Sequence, residues 1–365
     1  MSTEHTLSRT RTPAGVIGVG AMGANHARVY SELPNVELAG VTDHDTAVAK
    51  EVAEKYGTDA LTLEELLERC EVVTVAVPTH VHYDLVTTCL EAGVNVLVEK
   101  PIAKTVEEGR RMAALAEDRG LVLQVGHIER FNPAVQTVGE LIDELDVISL
   151  EAERLGPPID RTAPGNVVFD LMVHDVDIVG SILESTPNSI TAMGTEDGRY
   201  ATATMEYDDI VASLTASRVT QKKVRKLNVT ARECFVEVDY LEQSVLIHRD
   251  SYPEYVNDEG QKRYRHESVV ERPRIDNGEP LRHELASFVE SVRRNDKPEV
   301  TPQDGIEALE AVQTIDQLVD NRQGKTPGAV VSDREHETDE REVEALDSER
   351  GRHRGRTRTL RLERR

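Results

Sequence analysis

Gly18-Val19-Gly20-Ala21-Met22-Gly23 spaces its glycines as G-x-G-x-x-G directly after the apolar run AGVIGVG (14–20). In that spacing the first glycine permits a tight turn. The second lets backbone N–H groups approach a pyrophosphate, the third lets a helix lie close to a strand, and the helix N-terminus adds a positive field. Asp43 stands twenty residues after Gly23, at the end of VELAGVTD. A carboxylate there accepts hydrogen bonds from a ribose 2′-OH and repels a 2′-phosphate, which favours NAD over NADP. Gly18, Gly20, Ala21, Met22, Gly23 and Asp43 are therefore the first candidate cofactor residues.

Three further segments carry chemistry. Val77-Pro78-Thr79-His80-Val81-His82 ends an apolar run, at the edge where a doubly wound sheet presents its ligand; Pro78, Thr79 and His82 are expected to line the cofactor. Glu99-Lys100-Pro101 ends the next run, NVLV. A lysine there stands beside the nicotinamide end of a dinucleotide, whose positive ring lowers the lysine pKa toward the range of a useful proton carrier. Glu99 and Lys100 join the candidate cofactor residues. In Asp170-Leu171-Met172-Val173-His174-Asp175-Val176-Asp177, Asp170 and His174 are four apart and share one face of a helix. A carboxylate beside an imidazole orients the ring and sets its tautomer. One histidine with scattered carboxylates makes no recognised metal pattern, so no metal is expected.

These residues need a scaffold, and the chain supplies an α/β pattern. Up to about residue 128 short apolar runs alternate with helical stretches, as in a doubly wound parallel sheet buried on both faces. The helices are expected at 22–33, 45–56, 62–69, 81–92 and 105–119. FNPAVQTVGELID (131–143) reads as a helix, VISLEAERL (147–155) as a strand and VVFDLMVHDVDIVGSIL (167–183) as a largely buried helix. A run of alternating strands follows, from SITAMGTE to SVLIHR, and predicts an open, mostly antiparallel sheet. Two late helices, 280–294 and 303–320, place apolar residues every three or four positions and are expected to pack back on the first domain. The predicted domains are 14–128 for the dinucleotide and 129–330 for substrate and oligomer contacts, between a disordered 1–13 and a disordered, charged 331–365.

Lys and Arg number 43 against 67 Asp and Glu, a net charge of −24. Such a surplus repels nucleic acid and anionic membranes. Only 10 of the 43 bases are lysine, and the high acid, low lysine composition suggests a halophile's solvated surface. Arginine is concentrated at the end, with eight in residues 350–365. That stretch has almost nothing to bury and reads as a solvated tail. Cys70, Cys89 and Cys234 form no CxxC or Cys/His cluster, which fits a reduced compartment. No apolar stretch is long enough for a membrane span or a secretion signal, so a cytoplasmic protein is expected.

GVIGVGAMG, VTD, VPTHVH, EKP, GHIERFNP and DLMVHDVD occur in the order and approximate spacing of the Gfo/Idh/MocA oxidoreductases, which the chain resembles over about residues 14–325. The resemblance implies a Rossmann domain, a C-terminal α/β domain whose open sheet mediates a homodimer or homotetramer, and bound NAD(P) acting on a sugar or sugar derivative. It also implies Lys100, Asp170 and His174 as the catalytic set. Either His174 or Lys100 takes the hydroxyl proton while the other assists. Within the family, GHIERFNPAV (126–135) and ERLGPP-x-x-R (153–161) look most like the UDP-N-acetylglucosamine 3-dehydrogenase group. His127, Arg130 and Asn132, on the loop leaving the last Rossmann strand, are then expected at the substrate, with Arg154 and Arg161 pairing a diphosphate. A dehydrogenase of a free sugar or cyclitol, such as glucose, xylose or inositol, is the alternative, and a non-enzymatic nucleotide-binding regulator is a third reading.

Overall fold

Each of the first five strands is a short Val-rich run with almost no exposed side chain, a composition that suits a sheet covered on both faces. The computed structural model of the chain describes residues 11–158, 166–250, 254–258, 261–265 and 268–323. Arg161, residues 1–10 of the predicted N-terminal arm and the 331–365 tail lie outside the described residues. Strands β1 (Thr12–Ile17), β2 (Val36–Thr42), β3 (Val72–Val75), β4 (Asn95–Glu99) and β5 (Leu123–Gly126) pair in parallel in the order β2-β1-β3-β4-β5. Helices α1 (Ala21–Glu32), α2 (Thr46–Tyr56), α3 (Leu63–Arg69), α4 (His82–Glu91) and α5 (Val106–Arg119) lie between the strands in sequence.

Local signals set these boundaries. Asp45 caps α2 by accepting from the Ala47 N–H at 2.9 Å, and Thr105 and Glu108 form a reciprocal capping box on α5. The order of strand addition reverses between β1 and β3, so a crevice opens at their carboxyl ends.

A second, larger sheet follows. After α6 (Pro133–Ile142) come β6 (Val147–Leu155), a π-helical turn at Val168–Met172 and α7 (Val173–Leu183). Strands β7 (Ser189–Gly194), β8 (Tyr200–Tyr207), β9 (Ile210–Ser217), β10 (Val224–Ala231), β11 (Phe235–Asp239) and β12 (Ser244–Asp250) join β15 (Ser268–Glu271) in the order β15-β12-β11-β10-β6-β9-β8-β7. Strands β13 (Glu254–Asp258) and β14 (Gln261–Arg265) form a separate hairpin. The last three strands were not anticipated from the sequence: two of the three, β13 and β14, are dominated by charged and polar residues with little alternation to read.

All neighbours in the large sheet are antiparallel except β6 and β9. One face buries Leu150, Ala152, Ala203, Ala212, Leu214, Leu227 and Val229, while Glu151, Glu153 and Ser213 of the same strands are exposed. The predicted α/β class, a Rossmann sheet plus a large and mostly antiparallel one, is the observed architecture. α7 is buried nearly all round, which explains its apolar composition.

The two late helices return to the first sheet. α8 (Pro280–Arg294) buries Leu281, Leu285, Phe288 and Val289 in one cluster with Ala27, Tyr30 and Val16 of β1. α9 (Pro302–Gln323) packs Ile306, Leu309, Val312 and Ile315 into the core shared by α5 and α7. α9 thus joins residues of both sheets in one core, while α8 closes a second cluster beside β1 and α1. Among the described residues, no helix is long and apolar enough to cross a membrane.

Candidate active site

At the end of β1 the backbone turns through Gly18, whose φ of 84° favours glycine. A Cβ at Gly23 would overlap the Gly18 carbonyl oxygen, so strand and helix meet here only because neither residue carries a side chain. Gly20 begins α1 with no side-chain cap, and nothing lies within 4 Å of where its Cβ would stand. The first N–H groups of α1, those of Ala21, Met22 and Gly23, are therefore left for a ligand, the arrangement that suits a pyrophosphate.

Asp43 closes one side of this cradle. Its Oδ2 accepts from the Val19 N–H at 2.8 Å and its Oδ1 from the Asp45 N–H at 2.9 Å, so the carboxylate is held in place with lone pairs to spare. A cleft of about 630 Å³ runs past Gly18, Asp43, Val77, Pro78, Val81 and Leu85. None of its described lining residues is lysine or arginine. Open N–H donors, a fixed acceptor and an apolar slot fit a dinucleotide. Thr79 starts the 3-10 turn at the rim of this cleft.

His82 departs from expectation. It is buried, with Nδ1 3.0 Å from the Pro101 carbonyl oxygen and Nε2 2.9 Å from that of Val77. With both nitrogens occupied, it ties the loops after β3 and β4 together instead of facing a cofactor. Glu99 also turns inward, lying 3.0 Å from Nε2 of the buried His26 and accepting the Lys100 N–H at 3.2 Å. Burial pushes the Glu99 carboxyl up, but the His26 hydrogen bond and the His26 and Lys100 charges outweigh it and hold it below the usual value.

Lys100 leaves the end of β4 and donates from Nζ to the backbone carbonyl of Asp170 at 3.0 Å. Burial lowers its pKa, against the opposing pull of the Asp170 and Glu99 charges. His174, one turn further along, is half-buried, and its Nδ1 is enclosed without a hydrogen-bond partner among the described residues. Burial, then the Lys100 charge, holds its pKa well below the ordinary histidine value. Burial thus keeps the His174 imidazole neutral and makes the Lys100 ammonium easier to deprotonate. The Asp170 carboxylate is not the orienting partner of His174: its Oδ2 lies 2.8 Å from Arg218. The π-helical turn over 168–172 breaks the regular α-helical spacing that the face-sharing argument assumed.

The expected substrate arginines are engaged elsewhere. Arg154 is buried, makes two hydrogen bonds to Asp175 at 2.9 and 2.8 Å and a third to Glu129 at 2.6 Å, and lies over the Tyr240 ring. Arg130 is bidentate to Asp177 at 3.0 and 2.8 Å and reaches Asp304 at 3.4 Å. Both guanidinium groups are thus already neutralised by carboxylates of the chain itself. Asn132 caps α6 by accepting from the Ala134 N–H at 3.1 Å and donates to the Tyr240 carbonyl at 3.1 Å, so it fixes the domain core. His127 is buried at the end of β5, near the catalytic candidates, with Nδ1 3.7 Å from Asp177 Oδ2.

With this geometry in place, comparison with known proteins decides the family. The family model described as "Oxidoreductase family, NAD-binding Rossmann fold" matches residues 13–127, and the GFO/IDH/MocA C-terminal domain matches residues 151–235. The chain belongs to the Gfo/Idh/MocA oxidoreductase family. It is 34% identical to UDP-N-acetylglucosamine 3-dehydrogenase of Acidithiobacillus ferrooxidans over 64% of this chain and 76% of that protein. It is 29% identical to inositol 2-dehydrogenase of Rhizobium meliloti, over 49% of this chain and 57% of that one. The solved structure of the Acidithiobacillus enzyme superposes with a TM-score of 0.77 at 28% identity, covering 85% of this chain and 98% of that one. GenD2 from gentamicin A biosynthesis, solved with NAD, shares the fold at 24% identity and a TM-score of 0.71, covering 86% and 95%.

Three features of this Gfo/Idh/MocA protein escaped the sequence reading. Arg218, which pairs with Asp170, leaves the end of β9 and carries no local signal. His26 shares a buried helical stripe with Gly23, Ala27 and Tyr30. Glu284 sits on the stripe of Leu281, Leu285 and Phe288, fully enclosed, and neither carboxylate oxygen has a partner among the described residues. A charged residue at an apolar position is a signal that periodicity alone could have given for both.

Proposed function

We propose that this oxidoreductase is an NAD-dependent dehydrogenase that oxidises a secondary hydroxyl of a sugar, with the 3-hydroxyl of UDP-N-acetylglucosamine as the first choice. The observation that carries the reading is the meeting of Lys100, at the carboxyl end of β4 in the Rossmann sheet, with the Asp170–His174 segment, burial lowering the proton affinity of both bases. Bound NAD supplies a hydride acceptor. The chain supplies the proton chemistry: His174 or Lys100 takes the hydroxyl proton, and the other polarises the oxygen, in a pocket that excludes water. Asp170 is a positioning residue, its backbone carbonyl holding Lys100 and its carboxylate held by Arg218. Gly18, Gly20, Ala21, Met22, Gly23, Asp43, Pro78 and Thr79 hold the dinucleotide, and Asp43 in a cleft lined by no lysine or arginine among the described residues supports NAD over NADP.

The choice of sugar rests on the 34% identical relative. The inositol 2-dehydrogenase relative keeps a cyclitol as the second reading, and the occupied Arg130 and Arg154 remove one argument for a diphosphate. We assign dinucleotide binding to 14–128 and substrate binding to 129–330, and expect a homodimer or homotetramer through the open face of the large sheet. Anaerobic incubation with NAD and UDP-N-acetylglucosamine tests the reading. A product lighter by two hydrogens, with reduced nicotinamide formed in step, is expected. Turnover with inositol or free sugars alone would replace the nucleotide sugar, and no turnover with any would end the dehydrogenase reading.

A further inference from the structure

Oxidising a hydroxyl breaks one C–H and one O–H bond as the C=O bond forms. The hydride carries two electrons to the bound dinucleotide, and one proton per turnover is left on Lys100 or His174. That proton has to reach solvent before the next turnover.

The structure offers a route past His127. Glu99 and Gly126 are register partners on β4 and β5, so Lys100 and His127 leave neighbouring strand ends side by side. The His127 ring is 1% exposed, and neither nitrogen has a hydrogen-bond partner among the described residues. A buried histidine with no bond to satisfy it is costly unless it has work to do. Its nearest acceptor is Asp177 Oδ2, 3.7 Å from Nδ1, a separation that small side-chain motion closes; catalytic hydrogen bonds are often this long before ligands bind. Asp177 also lines a second cleft, of about 660 Å³, together with Arg130 and Asp304.

We propose that His127 and Asp177 form a proton exit from the active site to this second cleft, an inference that rests on the dehydrogenase reading. His127 accepts the proton from Lys100 at Nε2 and gives up the one on Nδ1 to Asp177 Oδ2, from which water in the cleft removes it. Arg130 keeps the Asp177 step accessible. Its guanidinium is shared between Asp177 and Asp304, so it stays paired with one carboxylate while the other is briefly protonated. The charges facing His127 agree: burial holds it neutral at rest, Asp177 and Glu99 favour its cationic form, and Arg130 and Lys100 return it to neutral. His174 lies within electrostatic reach of His127, and Glu284 of Asp177.

Stopped-flow measurement in weak buffer, with NAD, UDP-N-acetylglucosamine and a pH-indicator dye, separates the two events. In the wild type, proton release keeps step with reduced nicotinamide. In His127→Asn the first turnover still forms reduced nicotinamide while the dye signal lags. Steady turnover falls about tenfold or more, the scale on which proton-transfer groups act, and added imidazole restores it. Asp177→Asn, which preserves side-chain volume, shows the same lag and carries the test if His127→Asn fails to fold. Dye and nicotinamide in step in the variants, or a lag that imidazole leaves unchanged, would overturn the exit route alone. A wild type that forms no reduced nicotinamide with this sugar nucleotide, inositol or free sugars would overturn the dehydrogenase reading and the exit route with it.

Discussion

Glu284 gives the sharpest test of the physical account. It is fully enclosed in α8, both carboxylate oxygens are unpartnered among the described residues, and burial, reinforced by the Glu99 and Asp177 charges, raises its pKa well above the usual value. The folded protein therefore keeps a proton that the unfolded chain releases above about pH 4.3. With more protons bound in the folded state, stability falls as pH rises between the unfolded and folded titrations, by about 1.4 kcal/mol per pH unit. Two units inside that window cost roughly 2.7 kcal/mol. Glu284→Gln keeps the size and removes the titration, so its advantage over the wild type should start near zero at about pH 4.5 and widen with pH, to a melting-temperature gap of several degrees. Differential scanning calorimetry of both proteins at fixed salt from pH 5 to 7 reads this directly, because every other carboxylate is common to the two. Parallel profiles would mean that Glu284 is ionised in the fold, and would refute the argument from burial.

Three further outcomes follow from the site. Lys100→Met and His174→Ala should each lower turnover by about 10²- to 10⁴-fold with NAD affinity largely kept, as read by steady-state kinetics and calorimetric titration. Gly23→Ala places a Cβ on the Gly18 carbonyl oxygen and should abolish NAD binding in the same titration, because strand and helix must part. Arg154→Ala leaves Asp175 and Glu129 facing each other without their shared cation. It should cost about 3–5 kcal/mol of stability in denaturant unfolding, the range for breaking a buried ion pair, and a variant of unchanged stability with a raised substrate KM would return Arg154 to the substrate.

The parallel strands, the glycine fingerprint and Asp43 were legible in the sequence because each depends on near neighbours: burial on both faces selects Val-rich runs, and a tight turn onto a helix N-terminus selects glycine. The meeting of Lys100 with the His174 segment was suggested by motif order, but their contact crosses 70 residues and exists only because the turn before α7 meets the residue that follows β4. Partner choice lay beyond the sequence. Arg130, Arg154 and Asn132 have the chemistry to bind a sugar nucleotide, yet in the fold they meet Asp177, Asp175, Glu129 and the Tyr240 backbone. Arginine offers the same donors to a phosphate and to a carboxylate, and only the tertiary structure decides which one stands in reach. The same holds for Asp170, which a helical repeat assigns to His174 and the β9 edge assigns to Arg218. Residue type and spacing fix what a side chain is able to do, whereas burial and long-range packing fix what it is paired with and therefore which protonation state it carries.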